Sequence, residues 1–156
     1  MARGQIVVGV DGSGESARAL NWAVEEASLR GASVLALHAY DDGSAMVTAP
    51  AVPAPVPDPA VSADIQAHAR RGAEERLEET IRLAGVEESA AEISRNAIAH
   101  PNPAQALVEH SEDAEMLVVG SRGLGGLKGL VLGSVSQRCA QMARCPLVIL
   151  PPQDEE

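Results

Sequence analysis

Short apolar runs alternate with segments of helical spacing along the chain, and this alternation predicts an α/β protein. The runs are rich in valine, leucine, isoleucine and alanine, which is typical of strands buried in a sheet. The weakest of them, at residues 91–98, carries more polar side chains than the others. Five strands are predicted, at residues 5–11, 33–40, 91–98, 115–121 and 146–150.

Between these runs, apolar side chains recur every three or four residues, which predicts helices. Gly31 and Gly85 are positioned to end the first two helices, while Asn102 and Pro103 are suited to cap and begin the third. Ser62 is the predicted cap of the second helix. One side of that helix carries Ile65, Ala69, Ala73, Leu77 and Ile81, and the opposite charged side is expected to be solvated. The four helices are predicted at residues 16–30, 62–84, 103–111 and 134–144.

Strands that alternate with helices predict a parallel sheet covered by helices on both faces. At 156 residues, the chain is expected to form a single domain over residues 1–156. Residues 41–61 interrupt the pattern, because five prolines lie between positions 50 and 59 among alanine and valine. This composition predicts an extended, mobile insert.

Charge and composition restrict the partners. The formal net charge is -10 and the pI about 4.8, so no broad basic face is available for nucleic acid. A nucleotide is still compatible, since it needs only a local nest of backbone amides. No signal peptide is recognised and no apolar run approaches about 20 residues, so a cytoplasmic protein without a membrane partner is expected. Cys139 and Cys145 are predicted as free thiols, and the four histidines as surface or packing residues.

The most unusual stretch lies between the fourth strand and the last helix. Its sequence, GSRGLGGLKGLVLGSVS from Gly120 to Ser136, holds six glycines, two cations and no acid. Glycines let a backbone approach an anion, and the N-terminus of the following helix attracts one. Ser134 and Ser136 could add hydroxyl donors, and Arg122 or Lys128 positive charge. The alternative is a flexible connection without a ligand.

Two familiar phosphate motifs fit less well. The Walker pattern fails because Lys128 is followed by Gly129 instead of serine or threonine. Residues 12–17, GSGESA, match the short dinucleotide pattern G-x-G-x-x-A after the first strand, with Asp41 near the end of the second strand. A simple glycine turn between a strand and a helix explains residues 12–17 equally well.

The glycine spacing resembles that of a known family. Gly120, Gly123, Gly133 and Ser134 fit the signature G-x2-G-x9-G-S/T of the ATP-binding branch of the universal stress proteins. The opening IVVGVDGSGESARAL and the last third of the chain resemble the same family. This resemblance implies a Rossmann-like five-stranded sheet in the order 3-2-1-4-5, bound ATP and a homodimer joined through the strand from Pro146 to Leu150.

The same resemblance implies roles for individual residues. Asp11 would lie near the ribose and phosphates, with Mg²⁺ as a candidate bridging ion, and Ala39 would line the adenine. Gly120 and Gly123 would approach the ribose and phosphates, and residues 133–136 would close over the phosphates. The full set of expected ATP-binding residues is Gly9, Val10, Asp11, Ala39, Val119, Gly120, Arg122, Gly123, Gly133, Ser134, Val135 and Ser136.

Three functions are compatible with the sequence. The resemblance favours an ATP-binding regulatory protein of the stress response with little or no hydrolysis. A small nucleotide-dependent enzyme is the second, although the pyrophosphatase signature S-G-G-x-D-S is absent and a dehydrogenase would need a substrate domain. The third is a dimer module without a nucleotide, which the intact glycine signature disfavours.

Overall fold

The computed structural model describes residues 4–44, 58–122 and 132–153. Five strands in these ranges form one parallel sheet: β1 Gln5–Gly9, β2 Ser33–Tyr40, β3 Ile93–Ala99, β4 Met116–Gly120 and β5 Leu147–Leu150. The helices between them are α1 Gly14–Arg30, α2 Pro59–Ala84, α3 Pro103–His110 and α4 Ser134–Met142. The strand order is β3-β2-β1-β4-β5, which confirms the predicted fold.

Two hydrophobic cores cover the two faces of the sheet. Because successive side chains of a strand point to opposite faces, Val8 of β1 joins one core and Val7 the other. The first core packs under α1 and α2, with Leu20 and Ile81 at its centre. The second packs under α3 and α4 and includes Cys139. The prediction of helices on both faces is therefore confirmed.

The sheet reverses its order between β1 and β4. After β1 the chain crosses to β2 on one side, and after β3 it returns to place β4 on the other side. Val8 pairs with Val118, so the two strands end side by side at the same edge. Crevices at such a reversal are the usual ligand sites of open parallel sheets.

Helix α2 differs from its prediction in where it starts. It begins at Pro59, three residues before the predicted cap, because the Asp58 carboxylate accepts a hydrogen bond from the Ala60 amide at 2.9 Å. Proline suits the first helical position, where its missing N–H leaves no bond unmade. The predicted cap, Ser62, lies inside the helix.

In the described part of the chain, only the second half of α2 packs against the rest of the fold. Its buried side chains begin at Ala73, while Ile65 is 54% exposed. The helix has 26 residues and is therefore about 39 Å long. Since Thr80 contacts the turn after β1, the exposed turns before it extend beyond the carboxyl edge of the sheet.

The local signals at Gly31, Gly85 and Asn102 are confirmed, while α4 ends at Met142, two residues earlier than predicted. Gly31 and Gly85 end α1 and α2 in the left-handed conformation, with φ of 66° and 64°. Asn102 caps α3 through its side chain, and Pro103 is the first helical residue. Helix α1 starts two residues earlier than predicted, because the Ser13 hydroxyl accepts the amide of Ser16 at 3.1 Å.

The first and fourth strands end earlier than predicted. Strand β1 ends at Gly9 and β4 at Gly120, so residues 10–11 and 121 belong to the loops. The predicted insert is too long at its end, because residues 59–61 belong to α2; residues 45–57 lie outside the described residues. Cys139 and Cys145 are free thiols, as predicted, and burial raises the pKa of Cys139 to about 11.

Within the described ranges, every helix is too short or too polar to cross a membrane.

Candidate functional site

The turn after β1 is held by side chains on both sides of it. The Asp11 carboxylate accepts the Ser13 amide at 2.9 Å, and the Asp11 amide donates to the Ser16 hydroxyl at 3.2 Å. Gly12, with a φ of 87°, donates its amide to Thr80 of α2 at 3.0 Å. The turn therefore enters α1 in a single defined conformation, with Asp11 at the edge of the sheet.

His38 lies beneath this turn. Its Nδ1 is 2.7 Å from the Val10 carbonyl oxygen, which can only accept, so Nδ1 carries the proton. Nε2 is buried without a partner among the described residues. Burial, aided by Arg76, lowers the pKa of His38, while the Val10 hydrogen bond and Asp11 oppose this shift. Sequence reasoning treated His38 as a packing residue and missed its position next to the site.

At the end of β4, Ser121 joins the strand to the start of α4. Its carbonyl oxygen accepts the Gly133 amide and, at 2.7 Å, the hydroxyl of Ser136. Its own amide donates to the Leu150 carbonyl at 2.9 Å. The buried Ser136 hydroxyl is thus engaged with the backbone, and this leaves Ser134 as the exposed hydroxyl at the helix start.

The N-terminus of α4 offers backbone donors. Its cap residue, Gly133, has no side chain, and no described residue supplies a side-chain cap in its place. The first amide that bonds back to the cap is that of Gln137. The preceding amides, at residues 134–136, are the N–H groups that a helix leaves without a helical acceptor. An anion placed here would meet those donors and the positive end of the helix dipole.

At the N-terminus of α1, in contrast, a carboxylate of the chain itself already offsets the positive end of the helix dipole. Glu15 lies in its first turn and accepts the Arg122 amide at 3.0 Å and the Ser121 hydroxyl at 3.3 Å. Its other carboxylate oxygen is 3.2 Å from the Arg122 guanidinium. The Nε of Arg122 is buried without an acceptor among the described residues. Sequence reasoning missed Glu15, although an acid in the first turn of a helix behind a glycine-bearing strand end was a signal for it.

Close packing explains why glycine is needed at positions 9 and 120. A Cβ on Gly9 would lie 2.8 Å from a Leu107 methyl group and 3.2 Å from Val119. A Cβ on Gly120 would lie 3.3 Å from the Arg122 carbonyl oxygen and 3.3 Å from the Cβ of Glu15. Glycine at position 120 therefore allows the first turn of α1 to approach β4 closely.

The remaining expected residues are spread around this edge. Val10 and Val119 are buried in the two cores, and Val135 packs partly against the second core. Ala39 is half-buried on β2, the strand next to β1, and pairs with Ile98 of β3. Gly123 lies outside the described residues. The structure thus brings together the β1 turn, the β4 end and the start of α4, with Glu15 and Ser121 linking them.

Comparison with known proteins identifies relatives that match almost the whole chain. The model of the universal stress protein family matches residues 3–151. A universal stress protein of Mycobacterium tuberculosis strain H37Rv is 37% identical over 145 residues, which cover 92% of this chain and 44% of the relative. The chain therefore spans less than half the length of this curated relative.

Solved structures share the architecture. The universal stress protein UspA from Lactobacillus plantarum superposes with a TM-score of 0.71 at 19% identity, over 96% of this chain and 99% of the other. A universal stress protein in complex with cAMP is 27% identical, with a TM-score of 0.57, over 97% of this chain and 98% of the other. The family match, the relatives and the strand order agree, and the chain belongs to the universal stress protein family.

Proposed function

We propose that this chain is a regulatory stress-response protein that binds an adenine nucleotide, ATP in particular, in the crevice between β1 and β4. The observation that carries this proposal is the N-terminus of α4, which has no side-chain cap among the described residues and is held at the end of β4 through Ser121. The wider context is the family to which the chain belongs.

The start of α4 is suited to phosphate in three respects. Its first amides point out of the helix end, where the dipole contributes about half a positive charge. Gly133 presents no side chain, so a phosphate can come close to the backbone. Ser134 adds an exposed hydroxyl in the first turn. Because Ser121 holds this turn against β4, the donors are in place before the ligand arrives.

The rest of the nucleotide would lie toward β1 and β2. The related structure that contains cAMP supports an adenine nucleotide as the ligand class. In this arrangement Ala39 lines the base, since its small side chain leaves room at the end of β2. Asp11 would face the ribose and phosphates.

Asp11 is also the acid that would hold Mg²⁺. Magnesium is commonly bound by one or two carboxylates together with substrate phosphates, so a single acid at this edge is compatible with it. One Asp11 oxygen accepts the Ser13 amide, which orients the carboxylate at the strand end. The ion would partly neutralise the phosphate charge.

Hydrolysis is expected to be slow or absent. The donors at α4 are amides and a hydroxyl, which hold the bound nucleotide as readily as its transition state, and uniform binding does not raise turnover. The carboxylate of Glu15 accepts three hydrogen bonds and is therefore engaged as a structural anion. Binding and release of nucleotide would carry the regulatory signal.

Ser134→Asp tests the location of the site. An acid in the first turn suits a helix, so we expect the variant to fold with an unchanged melting temperature. Its carboxylate would repel phosphate, and ATP affinity measured by calorimetry should fall at least about tenfold, the equivalent of 1.4 kcal/mol. Ala60→Asp is the matched control, because α2 also lacks an acid in its first turn and Ala60 lies about 24 Å along the helix from Arg76.

Two results would contradict the proposal. The first is ATP binding that is equally tight in wild type and in folded Ser134→Asp. The second comes from mass spectrometry of protein purified without added nucleotide: an NAD mass, in place of ATP or AMP, would favour a dinucleotide-dependent enzyme.

A further inference from the structure

We propose that Glu15 sets the charge preference of the nucleotide site, because it is a built-in anion that lowers the affinity for ATP relative to AMP. This inference rests on the proposed function and concerns a residue outside the expected set of nucleotide contacts. Its basis is the position of the carboxylate, which occupies donors that a phosphate would use.

Both oxygens of Glu15 are committed to the end of β4. One accepts the backbone amide of Arg122 and the hydroxyl of Ser121, and the other contacts the Arg122 guanidinium. Amides at a strand end, hydroxyls and guanidinium groups are also the donors that proteins use for phosphate. A phosphate group that reached these donors would have to displace the carboxylate.

The surroundings strengthen the effect of this charge. The side chains of Glu15 and Arg122 are each only 24% exposed, so water screens the pair incompletely. The contact is also built into the fold, since the missing Cβ of Gly120 lets the first turn of α1 come this close to β4. The carboxylate is therefore fixed at the strand end, where it pairs with Arg122 and occupies donors that a phosphate would need.

The two helix N-termini at this edge are consequently unequal. Glu15 neutralises the start of α1, whereas α4 has no side-chain cap among the described residues. A single phosphate can be held at α4 alone. A triphosphate carries further charges that must lie near Glu15 or take its donors, so the repulsion grows with the number of phosphates.

The test compares the affinities for ATP and AMP in wild type and Glu15→Gln. Calorimetry is done in EDTA at constant ionic strength, so that no divalent cation bridges carboxylate and phosphate. We expect Glu15→Gln to tighten ATP binding about tenfold and AMP binding less than threefold. Glu26→Gln is the matched control and should resemble wild type, since Glu26 lies farther along α1, paired with Arg30.

The outcomes separate this inference from the proposed function. If wild type binds nucleotide and Glu15→Gln keeps the same ratio of the two affinities, or binds ATP more weakly, the inference is wrong and the proposed function stands. If neither protein binds either nucleotide, both in EDTA and with Mg²⁺ in place of EDTA, both are wrong. Should Glu15→Gln fail to fold by thermal denaturation, Glu15→Asn replaces it, with the same expected change in the ratio.

Discussion

His38 shows how surroundings set the chemistry of a side chain. The imidazole is 5% exposed and donates from Nδ1 to the Val10 carbonyl. Arg76 faces it from α2 and Asp11 faces it from the turn after β1. A proton on Nε2 would add a buried charge next to Arg76, which explains why the neutral form is favoured.

This arrangement predicts a loss of stability in mild acid. Because the pKa of His38 is lowered in the folded state, the unfolded chain binds the proton more readily once the pH falls below about 6.5. The free energy of unfolding should therefore decrease as the pH falls from 7 toward 5. Replacing His38 with Gln should flatten this dependence in urea denaturation series, whereas the exposed His68→Gln should retain it. An identical pH slope in wild type and His38→Gln would contradict the argument.

Helix α2 is one continuous helix whose apolar side chains are exposed near its start and buried near its end. Its apolar stripe repeats every four residues from Ile65 to Ile81, yet only the part from Ala73 onward is buried. The stripe begins at Ile65, but among the described residues the sheet and α1 cover it only from Ala73 onward. Stability should therefore depend on position along the helix as well as on residue type.

Two identical substitutions in α2 test this dependence. Ile81 is 2% exposed, so Ile81→Ala should lower the free energy of unfolding by about 2–5 kcal/mol. Ile65→Ala removes the same atoms from an exposed position, and its effect should stay within about 0.5 kcal/mol. Chemical denaturation of both variants provides the measurement. Comparable losses would mean that the first half of α2 is covered in solution.

Strand β5 is an edge of the sheet and the proposed contact between two copies of the chain. The Leu117 amide donates to the Pro146 carbonyl and the Ser121 amide to the Leu150 carbonyl. Consecutive residues of a strand direct their backbone N–H and C=O groups to opposite edges. The backbone groups of the even-numbered residues of β5 therefore point toward β4, and those of Leu147 and Ile149 point away from the sheet. An outward row of backbone groups on an apolar strand favours pairing with a second chain.

We propose that the chain forms a homodimer through this edge. Ile149→Pro removes an outward N–H and should give a folded monomer by light scattering, where wild type gives a dimer. Val148→Pro is the matched control, because it removes an N–H directed at β4 and should lower the melting temperature. Monomeric wild type at micromolar concentration, or an unchanged dimer of Ile149→Pro, would show that the interface lies elsewhere.

Local signals were sufficient for most of the fold. Strand and helix positions followed from apolar periodicity, and the ends at Gly31, Gly85 and Asn102 followed from backbone geometry that neighbouring residues alone determine. The family resemblance supplied the strand order, which the structure confirms. The nucleotide-binding roles of the predicted residues stay predictions.

The contacts that give the candidate site its character join residues far apart in the chain. Glu15 and Arg122 are 107 positions apart, and Gly12 and Thr80 are 68 apart. Which half of α2 is covered likewise depends on how far the sheet and α1 extend. No periodicity encodes such pairs, because they arise only when the strands take their order and bring the two helix N-termini to one edge.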